Sequence, residues 1–75
     1  MLQVYRVTVP FEAHQLDREP LRMESFGPGD LLIALSEESS SIVFCRRRES
    51  MDLSDCDRFI ASAPEFEQYT ESYDP

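Results

Sequence analysis

The sequence lacks tryptophan and lysine, and its 75 residues include only two glycines, two cysteines and one histidine. It also lacks the strings that mark common catalytic or nucleotide sites, namely GxGxxG, the Walker A loop, HExxH and GxSxG. A chain of this length offers little volume for a pocket that excludes water. The sequence therefore predicts a protein that has no catalytic residues and is not an enzyme.

Metal-binding patterns are missing as well. Cys45 and Cys56 do not form a CxxC motif, and no second pair of histidines or cysteines accompanies them. Asp55 and Asp57 are followed by Arg58, where a calcium-binding loop would supply a glycine and further ligands. The sole histidine has no nucleophile at a diagnostic spacing and is expected in a solvated loop. We expect reduced thiols, no metal and no cofactor.

Long apolar segments are absent too. No apolar run approaches the ~20 residues that cross a bilayer. Residues 1–5 lack the charged and apolar regions of a signal peptide. These features predict neither membrane insertion nor export, and reduced thiols fit the same compartment. We therefore expect a cytoplasmic location.

Negative charge is what the chain has in excess. Its fifteen acidic and seven basic residues give a net charge of −8, and every basic residue is an arginine. Residues 1–48 hold seven acids and six arginines, net −1, whereas residues 49–75 hold eight acids and one arginine, net −7. Such a surface repels nucleic-acid phosphates and anionic membranes. Direct nucleic-acid binding is therefore disfavoured, and the expected partner is a protein.

The hydrophobic pattern predicts a mainly β fold. Five segments have the composition or the alternation of strands: residues 2–9, 20–26, 31–35, 42–45 and a short 51–53. The continuous apolar run at 31–35 is typical of a central strand that is buried on both faces. Residues 11–19 are polar and irregular, which predicts a long loop. The predicted core contains Val4 or Tyr5, Val7, Val9, Leu31, Ile33, Leu35, Ile42, Phe44, Phe59 and Ile60.

The last third of the chain predicts one short helix and a tail. Ser54 and the acids after it match an N-terminal cap, so we expect a helix over about residues 55–62 that ends before Pro64. Residues 64–75 contain four acids, three aromatics and no basic residue, which predicts low intrinsic order. The expected organisation is a domain over residues 1–63 followed by an acidic, aromatic tail over 64–75.

The order of these segments resembles the SH3-like small β-barrels over about residues 3–62, including the Gly27-Pro28-Gly29-Asp30 step before the central strand. The resemblance implies a small barrel of about five strands with one short C-terminal helix. Many peptide-binding SH3 domains carry an aromatic pair in the first long loop. Here residues 11–19 offer only Phe11, so binding of proline-rich ligands is not implied.

Two groups of residues are candidates for partner contacts: the arginines Arg46, Arg47 and Arg48, and the tail aromatics Phe66, Tyr69 and Tyr73. Guanidinium groups bind phosphate or carboxylate in a bidentate manner, but the same arginines can pair with acids of their own chain. Aromatics in an acidic segment fit a peptide that orders on a basic, apolar partner, or else a terminus that only aids solubility.

We therefore expect a non-catalytic protein-interaction or regulatory module. Three alternatives remain open. The chain can be an acidic mimic of nucleic acid that binds a basic protein, it can contact anions or nucleic acid through Arg46–Arg48, or it can be a subunit needed for assembly of a complex. Strand edges without lysine or proline also allow pairing as a homodimer.

Overall fold

The computed structural model describes residues 3–16, 22–47 and 57–73. These residues form β1 (Val4–Val7), β2 (Phe11–Gln15), β3 (Met23–Phe26), β4 (Leu31–Glu37), β5 (Ser41–Arg46), β6 (Phe59–Ser62), α1 (Ala63–Tyr69) and β7 (Thr70–Ser72). The mainly β fold class is confirmed, because strands account for 58 % of the described residues. The number of strands was predicted wrongly, since the described residues form seven instead of about five.

All seven strands lie in one antiparallel sheet with the order β3-β2-β6-β5-β4-β1-β7. The sheet curls, because side chains that are distant in this order meet. The ring centroid of Phe26 on β3 lies 5.3 Å from that of Phe44 on β5, and Phe11 on β2 stacks on Tyr69 at 5.6 Å. The result is a half-barrel, compatible with a small barrel fold.

The concave face of the half-barrel holds the core. Its buried members are Val7, Phe11, Ala13, Phe26, Leu32, Ala34, Ile42, Phe44, Phe59 and Phe66. Leu32 and Ala34 show that β4 turns its even-numbered residues inward, while Ile33 is buried on the opposite face of the strand. Burial of three consecutive residues, together with pairing to both β1 and β5, confirms the central strand.

Several members of the predicted core lie elsewhere. Burial is confirmed for Val7, Ile33, Ile42, Phe44 and Phe59. The prediction is wrong for Val9, which is 44 % exposed because β1 ends at Val7, before the period-two pattern reaches it. Leu31, Leu35 and Ile60 are only half-buried, as are Val4 and Tyr5.

Residues 11–15 form β2, so the prediction of a loop there is wrong. Burial alternates along this strand, with Phe11, Ala13 and Gln15 inward and Glu12 and His14 exposed. The alternation is hard to recognise in the sequence because a glutamine takes the third inward position. The sole histidine is exposed, as predicted, but it lies in a strand.

The predicted helix over residues 55–62 is wrong for its described part, because residues 59–62 form β6. The helix begins later, with Ser62 as its N-cap, and the Glu65 N–H donates to Ser62 Oγ at 3.4 Å. Pro64 lies in the first turn, where its missing N–H costs nothing, so it helps to start α1 instead of ending a helix. The predicted cap at Ser54 and the strand at 51–53 lie outside the described residues.

Residues 63–69 form α1 and residues 70–72 form β7 of the same sheet, so the prediction of a poorly ordered tail is wrong for them. β7 pairs with β1, with Glu71 opposite Arg6. Phe66 on α1 is fully buried against the concave face. The acidic composition of residues 64–75 did not indicate that this segment packs on the sheet. The helix has only seven residues, and Phe66 is its only buried side chain. No helix in the described ranges is long and apolar enough to cross a membrane.

The turn predicted at residues 27–30 is confirmed. Gly29 has a positive φ of 103°, and the Asp30 N–H donates to the carbonyl of Gly27 at 3.0 Å. The Asp30 carboxylate also accepts a hydrogen bond from the Gly27 N–H at 2.9 Å. The turn leads from β3, at one edge of the sheet, to β4, which lies between β5 and β1.

Candidate interaction surface

Acidic side chains from two separate elements meet at one end of the half-barrel. The tip of the β4–β5 hairpin is closed by a hydrogen bond from the Glu38 N–H to the Ser41 carbonyl at 2.9 Å. The first residue of α1 is tied to this tip, because the Ala63 N–H donates to the Ser40 carbonyl at 3.0 Å. Four exposed carboxylates are thereby placed at this end, and we call them the acidic end: Glu37, Glu38, Glu65 and Glu67.

Tyr5 links the two halves of the acidic end. Its hydroxyl donates to Glu37 Oε1 at 2.7 Å, and its ring packs edge-on against Phe66 with centroids 5.0 Å apart. Burial, the hydrogen bond to Glu37 and the negative charges of Glu37 and Glu67 raise the pKa of Tyr5 to about 12. Carboxylates on β4 and on α1 therefore lie within electrostatic reach of one hydroxyl.

This arrangement predicts that the Tyr5 phenol titrates well above its ordinary pKa of 10.0. Because folding raises its pKa above the ordinary value of 10.0, the stabilisation is complete below pH 10 and is lost as the pH rises through about 12. Absorbance titration of the phenolates should show a late component that disappears in Tyr5→Phe. In Glu37→Gln it should move toward lower pH, because the acceptor loses its charge. Titration of Tyr5 near pH 10 would contradict the contact.

Arg46 lies at the other end of β5 and is already engaged. Its guanidinium carbon sits 4.7 Å from the centroid of the Phe26 ring, and Nη2 donates to the Ser25 carbonyl at 3.0 Å. Its Nη1 is 3.5 Å from Glu24 Oε1, and Nη2 is 3.7 Å from the Asp30 carboxylate. These contacts connect β3 with β5, which are not neighbours in the sheet, and so hold the sheet in its curled shape.

The remaining candidate residues do not form one site. Arg47 is exposed, and its backbone N–H donates to the Leu31 carbonyl at 2.7 Å, whereas Arg48 lies outside the described residues. Tyr69 and Tyr73 are half-buried. Phe66 lies inside the core and cannot contact a partner while the chain is folded. Within the described residues, the structure therefore shows no contact of Arg46 or Arg47 with these three aromatics.

Sequence reasoning missed the acidic end. The excess of acids after residue 48 is visible in the sequence, but nothing there shows that the hairpin carboxylates join those of α1. That juxtaposition depends on the pairing of β5 with β6, which aligns Ser41 with Ser62, the N-cap of the helix. Within the described ranges, no group of three or more histidine, cysteine or acidic side chains has the geometry to hold a metal ion.

The described fold is a curled antiparallel half-barrel whose concave face is covered by a short helix. Comparisons with protein families, with curated proteins and with solved structures found no match to this chain.

Proposed function

We propose that this chain is a non-catalytic protein-interaction module whose acidic end contacts a basic partner protein in the cytoplasm. The observation that carries the proposal is the convergence of Glu37 and Glu67, from different elements, on Tyr5. Two arginines form ion pairs with acids outside the acidic end: Arg6 pairs with Glu71, and Arg46 pairs with Glu24. A concentrated negative surface attracts basic partners and speeds their encounter.

A second candidate uses the same surface. The carboxylates of the acidic end can occupy the phosphate-binding positions of a basic nucleic-acid-binding protein. The chain would then act as a mimic of nucleic acid. This candidate requires that nucleic acid compete with the chain for one partner. An anion contact through Arg46–Arg48 has less support, because Arg46 is already bound to Ser25 and stacked on Phe26. Membership of the SH3-like barrels and pairing as a homodimer are also proposals.

The test compares two double variants of equal net charge. Glu65→Gln with Glu67→Gln removes two carboxylates from the acidic end, whereas Glu12→Gln with Glu24→Gln removes two from β2 and β3. The probe is an end-blocked peptide of arginines, titrated at low salt. We expect the first variant to bind it about fivefold more weakly, from exposed pairs worth up to ~1 kcal/mol each, and the second to bind within about twofold of the parent.

Raising the salt concentration should remove most of the difference between the two variants, because exposed charges are screened within about 8 Å at physiological ionic strength. Equal losses in both variants would mean that the probe senses only net charge. The acidic end would then have no special role, and the proposed function would fail.

A further inference from the structure

β7 forms one edge of the sheet, and only some of its backbone N–H and C=O groups form hydrogen bonds with β1. The Thr8 N–H donates to the Tyr69 carbonyl at 2.8 Å, and the Tyr73 N–H donates to the Val4 carbonyl at 2.9 Å. Bonded residues alternate along an antiparallel pair, so residues 69, 71 and 73 turn their backbone groups toward β1. Ser72 lies opposite Tyr5 between them, and its N–H and C=O point away from the sheet.

Acidic side chains flank this open backbone. Glu71 lies on β7 itself and pairs with Arg6 of β1. Glu67 lies on α1, and its charge contributes to the raised pKa of Tyr5, the residue directly across from Ser72. The acidic end therefore continues to the open edge. A strand that docks here finds backbone hydrogen bonds and negative charge together.

We propose that β7 is the docking edge for an extended, basic segment of the partner protein, which adds as a further strand beside Ser72. This inference rests on the proposed function and gives it a geometry. Backbone pairing supplies affinity, while arginine or lysine side chains at alternate positions share one face of the added strand and reach Glu67 on the side covered by α1. Glu71 lies on the opposite face, where it pairs with Arg6. A second copy of the chain fits less well, because it brings these carboxylates against their own counterparts at a net charge of −8 per chain.

The opposite edge, β3, is a poorer place for the same segment. The Gln15 N–H donates to the Arg22 carbonyl, so Met23 and Ser25 turn their backbone groups outward from β3. The outward carbonyl of Ser25 is already taken by Arg46 Nη2 at 3.0 Å. The two edges therefore differ in hydrogen bonding.

The test uses the full chain and two end-blocked peptides of equal charge. One has four Arg-Val repeats and can form a strand, and the other has four Arg-Pro-Pro repeats and cannot. Ser72→Pro removes the outward N–H and leaves the bonds of Glu71 and Tyr73 to β1 in place, while Ser72→Ala retains that N–H. We expect the Arg-Val peptide to bind Ser72→Pro about tenfold more weakly than the parent, and to bind Ser72→Ala within about twofold.

Amide hydrogen exchange of the unsubstituted chain gives a second readout that does not depend on how well Ser72→Pro folds. The Ser72 amide should exchange more slowly when the Arg-Val peptide is added, and should not change with the Arg-Pro-Pro peptide. An unchanged Ser72 amide in the presence of bound Arg-Val peptide would overturn the docking edge.

The other outcomes separate the two proposals. Equal binding of both peptides would leave the basic partner in place and overturn only strand addition. Binding of neither would overturn the proposed function as well. A dimer in sedimentation that Ser72→Pro converts to a monomer would make a second copy the occupant of β7 and would also contradict the basic segment.

Discussion

Replacing Phe66 with alanine should destabilise the chain by about 3–5 kcal/mol, which is comparable with the whole stability of a domain of this size. The ring is fully buried and lies 5.1 Å from Phe44 and 5.0 Å from Tyr5, centroid to centroid. Truncation therefore leaves a cavity between α1 and two strands. Urea unfolding followed by circular dichroism measures the loss.

Gln68→Ala is the matched control for Phe66→Ala, because Gln68 is exposed on the same helix. Its free energy of unfolding should stay within about 0.5 kcal/mol of the parent. If Phe66→Ala were equally mild, α1 would not be packed on the sheet. Residues 63–73 would then be the tail that their acidic composition suggests.

The second large effect concerns the orientation of β4. Leu32 is fully buried in the concave core, so Leu32→Ala should cost about 2–5 kcal/mol. Leu35 is half-buried at a register irregularity between Ala34 and Ser36, and Leu35→Ala should cost clearly less, about 1 kcal/mol. The reverse order of these costs would place the core on the other face of β4. Both variants are measured by the same urea titration.

The sequence allowed four of the strands to be located. The strands at residues 4–7 and 41–46 follow β-branched and aromatic composition, the strand at residues 23–26 follows an alternating pattern, and the central strand follows its continuous apolar run. The turn at residues 27–30 was predictable because glycine and proline restrict the backbone locally. These features depend on neighbouring residues only, so local rules are sufficient for them.

The features that failed depend on tertiary contacts. β2 was missed because Gln15 occupies a buried position that a sequence pattern assigns to an apolar residue. Phe59 and Ile60 suit a helix as well as a strand, and only pairing with β5 decides between them. The Ser62-x-x-Glu65 pattern, with Pro64 between the two residues, is typical of a helix N-terminus and indicates the start of α1. The start was missed because Pro64 was interpreted as the end of a preceding helix.

The candidate surface was predictable only in part. The charge asymmetry directed attention to the last third of the chain, where Glu65, Glu67 and Glu71 lie. The charge asymmetry predicted a separate acidic tail. In the structure these residues lie on α1 and β7, and the buried Phe66 holds α1 on the sheet. The contribution of Glu37 depends on the fold, because the hairpin meets α1 only after β5 and β6 have paired.

Residues 70–72 form an edge strand whose inner side is bonded to β1 and whose outer side has no neighbour among the described strands. Amide hydrogen exchange of the isolated chain tests this arrangement, because it reports each N–H separately. The amides of Glu71 and Tyr73, which face β1, should exchange slowly, while the Ser72 amide between them exchanges rapidly. Rapid exchange at all three positions would mean that no strand forms there, and slow exchange at all three would mean that the outer side of β7 is already paired.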